Sequence, residues 1–443
     1  MKLIRVWLSQ LLIAIAVLSF NIQPALAFCG FYVAKADSDL YNQASQVIIA
    51  RDGQRTVLTM SNDYQGDVKD FALVVPVPVV LKEGQVNVNE AKIIKRLDDF
   101  SAPRLVEYFD PNPCQRYRTF EDAESSAPPI PQATSRRQFK NSLGVTVEEE
   151  FSVGEYDIVI LSAKESDGLE TWLIQNGYKI PRGAKNILEP YIKQKLKFFV
   201  AKVNLEEYDS QGFNKLRPLS MAYESPKFML PIRLGMINAQ GDQDLIVYLL
   251  SPRGQVELTN YRTVKVPSDV DIPEFVQEEF KDFYTTMFQK SYEKENKQVA
   301  FLEYAWDMGS CDPCSAQPLN REELKQAGVF WLDSSTPRVF PGNSNVFITR
   351  LHVRYTRDKF PEDLRFQETG NRQLFQGRYV IRHPYREEIT CNVAEQYKQS
   401  VKDRQQREAQ TLASLTGWNI NDIRKKIKFV EAKTVPWWQN LWN

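Results

Sequence analysis

Two sets of residues in this chain have types and spacings that could do chemistry. The first is Cys311-Asp-Pro-Cys314, two thiols three residues apart. Such a pair can close a small disulfide, share a soft metal or exchange electrons. On the polymer model a four-residue loop gains only about 2 kcal/mol from its crosslink, whereas a bridge between distant cysteines gains up to about 5 kcal/mol. Cys29 or Cys114 to Cys391 would be such a distant bridge. A bond within 311–314 is therefore a poor staple, which raises the redox reading. Context pulls the other way. A thioredoxin-like site needs its first cysteine at a helix N-terminus after a strand, because the helix dipole stabilises the thiolate. The strand is expected at Val299–Trp306, but Ser315-Ala-Gln-Pro318 intervenes before a helix cap at Asn320. A structural disulfide or buried pair is thus preferred over redox or metal chemistry. A zinc site would need two further ligands, and His352, His383 and Cys391 are the candidates if the fold brings them together.

The second set surrounds the chain's two histidines. In Thr349-Arg-Leu-His-Val-Arg-Tyr355, strand alternation puts Arg350, His352 and Arg354 on one face and Leu351, Val353 and Tyr355 on the other. His383 lies in Arg378-Tyr-Val-Ile-Arg382-His-Pro-Tyr-Arg386. If the two strands neighbour each other, five arginines and both histidines line one region, with Glu362, Asp363, Glu387 and Glu388 nearby. Arg350, Arg354, Arg378 and Arg382 would then form an anion-binding or acid/base pocket. The plainer reading, a solvated sheet face carrying ion pairs, is preferred. The sequence has no Gly-rich phosphate loop, nucleophile elbow or His-Glu-x-x-His, and it indicates no cofactor.

The elements that must position these residues read as α+β: mixed, mostly antiparallel sheets with packed helices and a helical C-terminal region. Val47–Ala50 and Thr56–Met60 form a hairpin about Asp52-Gly53. Phe71–Val75 is a buried-strand candidate, and Pro76 and Pro78 bar it from a central ladder position. A short helix is expected over Ile93–Phe100, ended by Pro103. Strands follow at Val145–Val153 and Tyr156–Leu161, helices at Leu169–Asn176 and Ala184–Lys195, and strands at Leu196–Val203, Lys227–Gly235, Asp244–Leu250 and Gln255–Val266. Glu274–Asn296 is an amphipathic helix whose aromatic stripe (Phe275, Phe280, Phe283, Tyr284, Met287, Phe288, Tyr292) is expected to pack on a sheet, with a groove helix that binds a protein partner as the alternative. Asn320 caps a helix that Gly328 ends; strands are expected at Val346–Tyr355 and Gln373–His383. A long polar helix over Glu387–Leu415 and a short one over Asn419–Phe429 close the fold.

The N-terminus predicts export. Lys2 and Arg5 precede the apolar run Leu11–Phe20, and Ala25-Leu-Ala27 is a small-x-small cleavage signal, with cleavage after Ala27. The mature protein would be periplasmic or extracellular. Of 56 basic and 56 acidic residues in the chain, cleavage removes only Lys2 and Arg5, which leaves a net charge of −2. That balance gives no footprint for nucleic acid. No later stretch reaches about eighteen uninterrupted apolar residues, so no second span is expected. All five cysteines, Cys29, Cys114, Cys311, Cys314 and Cys391, survive cleavage as disulfide candidates, and their odd number leaves one over within a monomer. The organisation read from composition is a signal peptide (1–27), a β-rich region (28–109), a Pro/Ser-rich loop or linker (110–141), a central α+β region (142–300), a Cys-x-x-Cys and basic-strand region (301–391) and a helical C-terminal region (392–443). The last ends in an aromatic tail. Trp437, Trp438 and Trp442 are expected to dock on the core, with weak membrane-surface contact as the alternative.

Several long motifs carry a family likeness. Trp306-Asp-Met-Gly-Ser-Cys311-Asp-Pro-Cys314, Thr349–Thr356, Phe360-Pro-Glu-Asp-Leu364, Phe375–Pro384, Leu412–Trp418 and Phe28-Cys-Gly-Phe-Tyr-Val33 together resemble the uncharacterised bacterial family called domain of unknown function 2330. The resemblance implies export and names no reaction, so it assigns no catalytic residue. Ser310 stands where it would place a tryptophan before the first cysteine, which removes the feature most like a thioredoxin-type site. The expectation is an exported, non-catalytic binding or structural module of the cell envelope. The alternatives are a thiol-disulfide oxidoreductase using Cys311 and Cys314, and a metal-dependent hydrolase using His352 and His383.

Overall fold

In a computed structural model the described residues are 31–32, 41–42, 45–61, 64–65, 72–114, 145–176, 184–210, 216–237, 241–312, 314–333 and 345–431. The cleavage signal at Ala27, Cys29, most of the Pro/Ser-rich segment and the tail with Trp437, Trp438 and Trp442 lie outside them.

The elements that matter for the site are β1 (Ser45–Asp52), β2 (Arg55–Ser61), α1 (Lys92–Ser101), β3 (Arg104–Phe109), β4 (Gln243–Ser251), α2 (Phe280–Lys294), β5 (Val299–Asp307), β6 (Phe347–Tyr355), β7 (Arg378–His383) and α3 (Ala394–Thr416). Nine strands form the main sheet. Its order is Arg262–Lys265, β5, β6, β4, β1, β2, Leu219–Glu224 and Val86–Val88, with Phe375–Gln376 pairing to β5. β6 runs antiparallel to both of its neighbours, β4 and β5, while β4 and β1 are parallel. The sheet thus joins strands from both ends of the described chain.

A five-stranded sheet lies face to face with it, in the order Phe31–Tyr32, Ala72–Val77, Lys197–Val203, Tyr156–Ala163 and Val145–Val153. One continuous core fills the gap. Val47, Leu58, Val247, Leu302 and Leu351 come from the main sheet, and Val75, Ile158 and Phe199 from the smaller one. Helices cover the two outer faces. Ser166–Gln175 and Ala184–Lys193 pack on the smaller sheet through Leu173, Leu188 and Tyr191. On the main sheet, α1 brings Ile93, Ile94, Leu97 and Phe100 against Ile48, Tyr248 and Ile348, and α2 brings Phe288 and Tyr292 against Phe301. Four layers result, helix on sheet on sheet on helix, in which each apolar face is buried against another. β7 belongs elsewhere, in a three-stranded sheet between Val270–Asp271 and β3. The apolar face of this third sheet, Tyr379 and Ile381, packs against α2 and α3.

Several expected boundaries move for local reasons. Pro76 sits inside the strand Ala72–Val77, opposite Phe198, and that strand is flanked on both sides. The strand Phe31–Tyr32 pairs only with Leu73 and Val74. At Pro76 that edge therefore meets no strand among the described residues, and an edge position is where proline is tolerated. The helix expected from Glu274 is a 3-10 turn, Glu274–Gln277, followed by α2 from Phe280. The expected strand Gln255–Val266 is two strands, Val256–Leu258 and Arg262–Lys265, with different neighbours. Lys227–Gly235 contains only the two-residue strand Met229–Leu230. The long polar helix begins at Ala394 rather than Glu387.

Candidate functional site

The alternation of β6 carries Arg350, His352 and Arg354 onto the outer face of the main sheet. There they run in a line beneath α1 and α2. β4 adds Asp244 and Tyr248, α1 adds Asp98, and α2 adds Tyr284, Phe288 and Gln289. The remaining member, Glu303, arrives by a backbone irregularity. In the β5–β6 ladder Leu302 opposes Leu351 and Tyr304 opposes Arg350, so Glu303 is the extra residue of a β-bulge. A bulge re-aims one side chain without breaking the strand. It delivers a carboxylate to a face it shares with Tyr304.

The result is a linear chain of alternating charge. Arg350 Nη1 donates to Asp98 Oδ1 at 2.6 Å and Arg350 Nε to Glu303 Oε2 at 2.6 Å. Glu303 Oε1 lies 2.8 Å from His352 Nδ1, and His352 Nε2 lies 3.1 Å from Asp244 Oδ1. Asp244 then accepts two bonds from Arg354, at 2.7 and 2.6 Å, and Arg354 Nη1 reaches Gln289 Oε1 at 2.6 Å. Tyr284 Oη donates to Glu303, and Tyr248 Oη donates to Asp98 at 2.8 Å. The imidazole of His352 stacks on Phe288, with ring centroids 4.0 Å apart, and the Arg354 guanidinium lies over the same ring. Three carboxylates alternate with three cations, so the row is neutral when the imidazole is charged.

This face is buried, not the solvated surface expected from sequence, because α1 and α2 cover it. Side-chain exposure is 1 % for Glu303, 7 % for Arg350 and 12 % for His352. Burial alone would lower the imidazole pKa, but the Glu303 charge and the bonds to Asp244 and Glu303 outweigh it and raise His352 to about 9. Burial likewise opposes the ionised form of Glu303. The charges of His352 and Arg350, with bonds from His352 and Tyr284, overcome that and hold its carboxyl at about 2. Asp244 is held below its ordinary range against its own burial, by His352 and Arg354. With both ring nitrogens donating to carboxylates, His352 is an imidazolium with no lone pair to take a proton or bind a metal.

His383 is not brought to this row, because β7 and β6 lie in different sheets. It has its own pair of carboxylates. Nε2 lies 2.8 Å from Glu107 Oε2 and Nδ1 lies 3.2 Å from Glu274 Oε1, while Phe109 stacks on the ring at 4.5 Å. Both histidines thus repeat one local arrangement of two carboxylates and a phenylalanine face. The arginines are also engaged: Arg378 pairs with Asp269, and Arg382 with Asp271 at 3.0 Å. Of the acidic residues expected beside the histidines, Asp363 instead pairs with Arg233 at 2.7 Å and Glu362 with Arg365 at 3.1 Å.

The cysteines are joined Cys114 to Cys391 and Cys311 to Cys314. The first bond spans 277 residues and ties the segment just after β3 to the segment before α3. Neither Cys391 nor the 311–314 pair is available to join the histidines around a zinc ion. Among the described residues no group of three or more His, Cys, Asp or Glu is arranged to hold a metal ion, and no helix is long and apolar enough to cross a membrane.

Sequence reasoning missed Glu303, Asp98, Asp244 and Tyr284 as members of the row. Glu303 did carry a signal, as the single carboxylate within the apolar run Phe301–Trp306. The bulge that aims it, and the pairing of β4 with β6, are not local properties of the sequence.

A family model described as an uncharacterised protein conserved in bacteria, DUF2330, matches residues 23–367. No curated protein and no solved structure matches the chain.

Proposed function

Given that this chain belongs to DUF2330, a family of uncharacterised proteins conserved in bacteria, we propose that it is an exported, non-catalytic binding or structural module of the cell envelope. One observation carries the non-catalytic part: both ring nitrogens of His352 are hydrogen-bonded to carboxylates. A general base needs a free lone pair near its operating pH, and a zinc ligand needs an unprotonated nitrogen. Support for export comes from the basic and apolar N-terminus with its small-x-small signal and from the Cys114–Cys391 bond. Disulfides persist chiefly in oxidising compartments. The aromatic tail, Trp437, Trp438 and Trp442, is the segment we assign to docking on the core or, more weakly, to a membrane surface.

The test is fractionation of bacteria expressing the full chain, with the N-terminus and the thiol state read by peptide mass spectrometry. The proposal expects a mature protein that begins at Phe28, found in the periplasm or medium, with Cys114–Cys391 bonded. A cytoplasmic protein that retains residues 1–27 and has free Cys114 and Cys391 would overturn it.

A further inference from the structure

The binding reading makes no use of Cys311 and Cys314, and the structure sets this pair apart from the other disulfide. A bond that holds a fold together closes a long loop. Cys114–Cys391 does so, whereas Cys311 and Cys314 are three positions apart. The segment around the short bond is fixed by other means. Met308 N donates to Val346 O at 2.9 Å, and Gly309 N to Asp307 Oδ1 at 2.8 Å. Gln376 Nε2 donates to Asp312 O at 2.5 Å. On the far side, Ser315 Oγ donates to Asp99 O at 2.7 Å, Arg96 Nη2 reaches Gln317 O at 3.2 Å, and Leu319 is buried. None of these contacts requires the S–S bond, so opening it leaves the scaffold in place.

The two sulfurs are also unequal. Cys314 is exposed, while Cys311 is half-buried and packs with Trp306 and Trp331 against the α1 side of the main sheet. An attacking thiolate therefore reaches Cys314.

We propose that Cys311–Cys314 is a thiol–disulfide exchange site that accepts two electrons from a dithiol, with Cys314 as the sulfur attacked first. This goes beyond the binding reading and does not depend on it, since one exchange per molecule requires no turnover. In the first step a substrate thiolate attacks Cys314 Sγ, a mixed disulfide forms, and Cys311 leaves as a thiolate that takes a proton from water. In the second step the other thiol of the same substrate loses its proton and attacks its partner sulfur in the mixed disulfide. The substrate becomes a disulfide, Cys314 leaves and is protonated, and both cysteines end reduced.

The experiment equilibrates the full mature protein with graded dithiothreitol, quenches by alkylation and maps each cysteine by mass spectrometry, with near-ultraviolet circular dichroism read in parallel. The expected result is that Cys311–Cys314 opens at no more than about one-tenth of the reductant needed for Cys114–Cys391, with the dichroism unchanged. Opening of both bonds together, or only with loss of the dichroism signal, would overturn the proposal. The order of attack is tested with oxidised glutathione on Cys311→Ser and Cys314→Ser. Cys314 in the first variant should form the mixed disulfide at least about ten times faster than Cys311 in the second; equal rates, or no uptake at Cys314, would overturn that order.

Discussion

Replacing Glu303 by Gln removes the charge at the centre of the buried row while keeping its shape. Of their carboxylate partners, Arg350 then keeps only Asp98 and His352 only Asp244. Breaking one partner out of a buried ion pair costs about 3–5 kcal/mol, because the charges left behind stay desolvated. The surviving partners put this case near the lower end, about 3 kcal/mol at pH 7. The cost should depend on pH in a definite direction. His352 has a folded pKa raised from 6.5 to about 9, so the stability it contributes is complete below pH 6.5 and is lost as pH rises through about 9. A shift of that size corresponds to roughly 3 kcal/mol at 1.36 kcal/mol for each pH unit. In the Gln variant the imidazole loses its main partner, titrates nearer 6.5, and has little of that stability to lose. The difference between the two proteins should therefore be largest near pH 6–7 and smaller at pH 10, where the lost Arg350–Glu303 pair alone still separates them. Urea unfolding followed by tryptophan fluorescence at pH 6, 7.5 and 10 measures it. A variant within about 0.5 kcal/mol of the parent at pH 7, the size of an ordinary surface substitution, or a cost that is the same at every pH, would refute the reasoning.

Three other perturbations follow from the structure. Glu408 on α3 is pushed up to about 7 by burial, with Asp271 and Glu274 adding to the shift against the pull of Arg404 and Arg382. Its folded pKa lies above its ordinary value of 4.5, so stability falls as pH rises through about 7. Glu408→Gln should raise the melting temperature at pH 8 and change it little at pH 4.5, by calorimetry. Cys391→Ser should destabilise the oxidised protein by about 5 kcal/mol, whereas Cys314→Ser should cost about 2 kcal/mol or less, as loop length dictates; urea midpoints compare them. Asn320 caps its helix by accepting from Glu322 N and Glu323 N, with Glu323 bonding back to the Asn320 N–H. Asn320→Ala should cost about 1 kcal/mol in the same assay.

The sequence made legible whatever depends on neighbours along the chain. The hairpin about Asp52-Gly53 is β1 and β2, and the apolar spacing of Ile93, Ile94, Leu97 and Phe100 is α1. The capping box at Asn320 is a local hydrogen-bond pattern, and the Arg350-His352-Arg354 alternation follows from the pleat. Long-range pairing was not legible. Leu219–Glu224 escaped notice as a strand because Ser220, which looks solvent-facing in sequence, is buried and bonded to Thr59 across the sheet at 2.6 Å. β3 escaped because Arg104 is buried while Tyr108 and Phe109 are exposed, which inverts the usual pattern. The long polar helix starts late because Cys391 is held by its disulfide just ahead of it. At the site, the three cationic members of the row could be read from one strand. The three carboxylates come from three different elements, and one of them depends on a bulge.

The most direct test of the account is the protonation state of His352, read from ring 15N shifts and their titration in the folded protein. With only two histidines in the chain, a His383→Gln variant assigns the signals. At pH 7.5 both ring nitrogens of His352 are expected to carry protons, and the ring is expected to titrate near 9. A neutral ring at pH 7.5, with one bare nitrogen titrating near 6.5, would contradict it and would restore His352 as a base or a metal ligand.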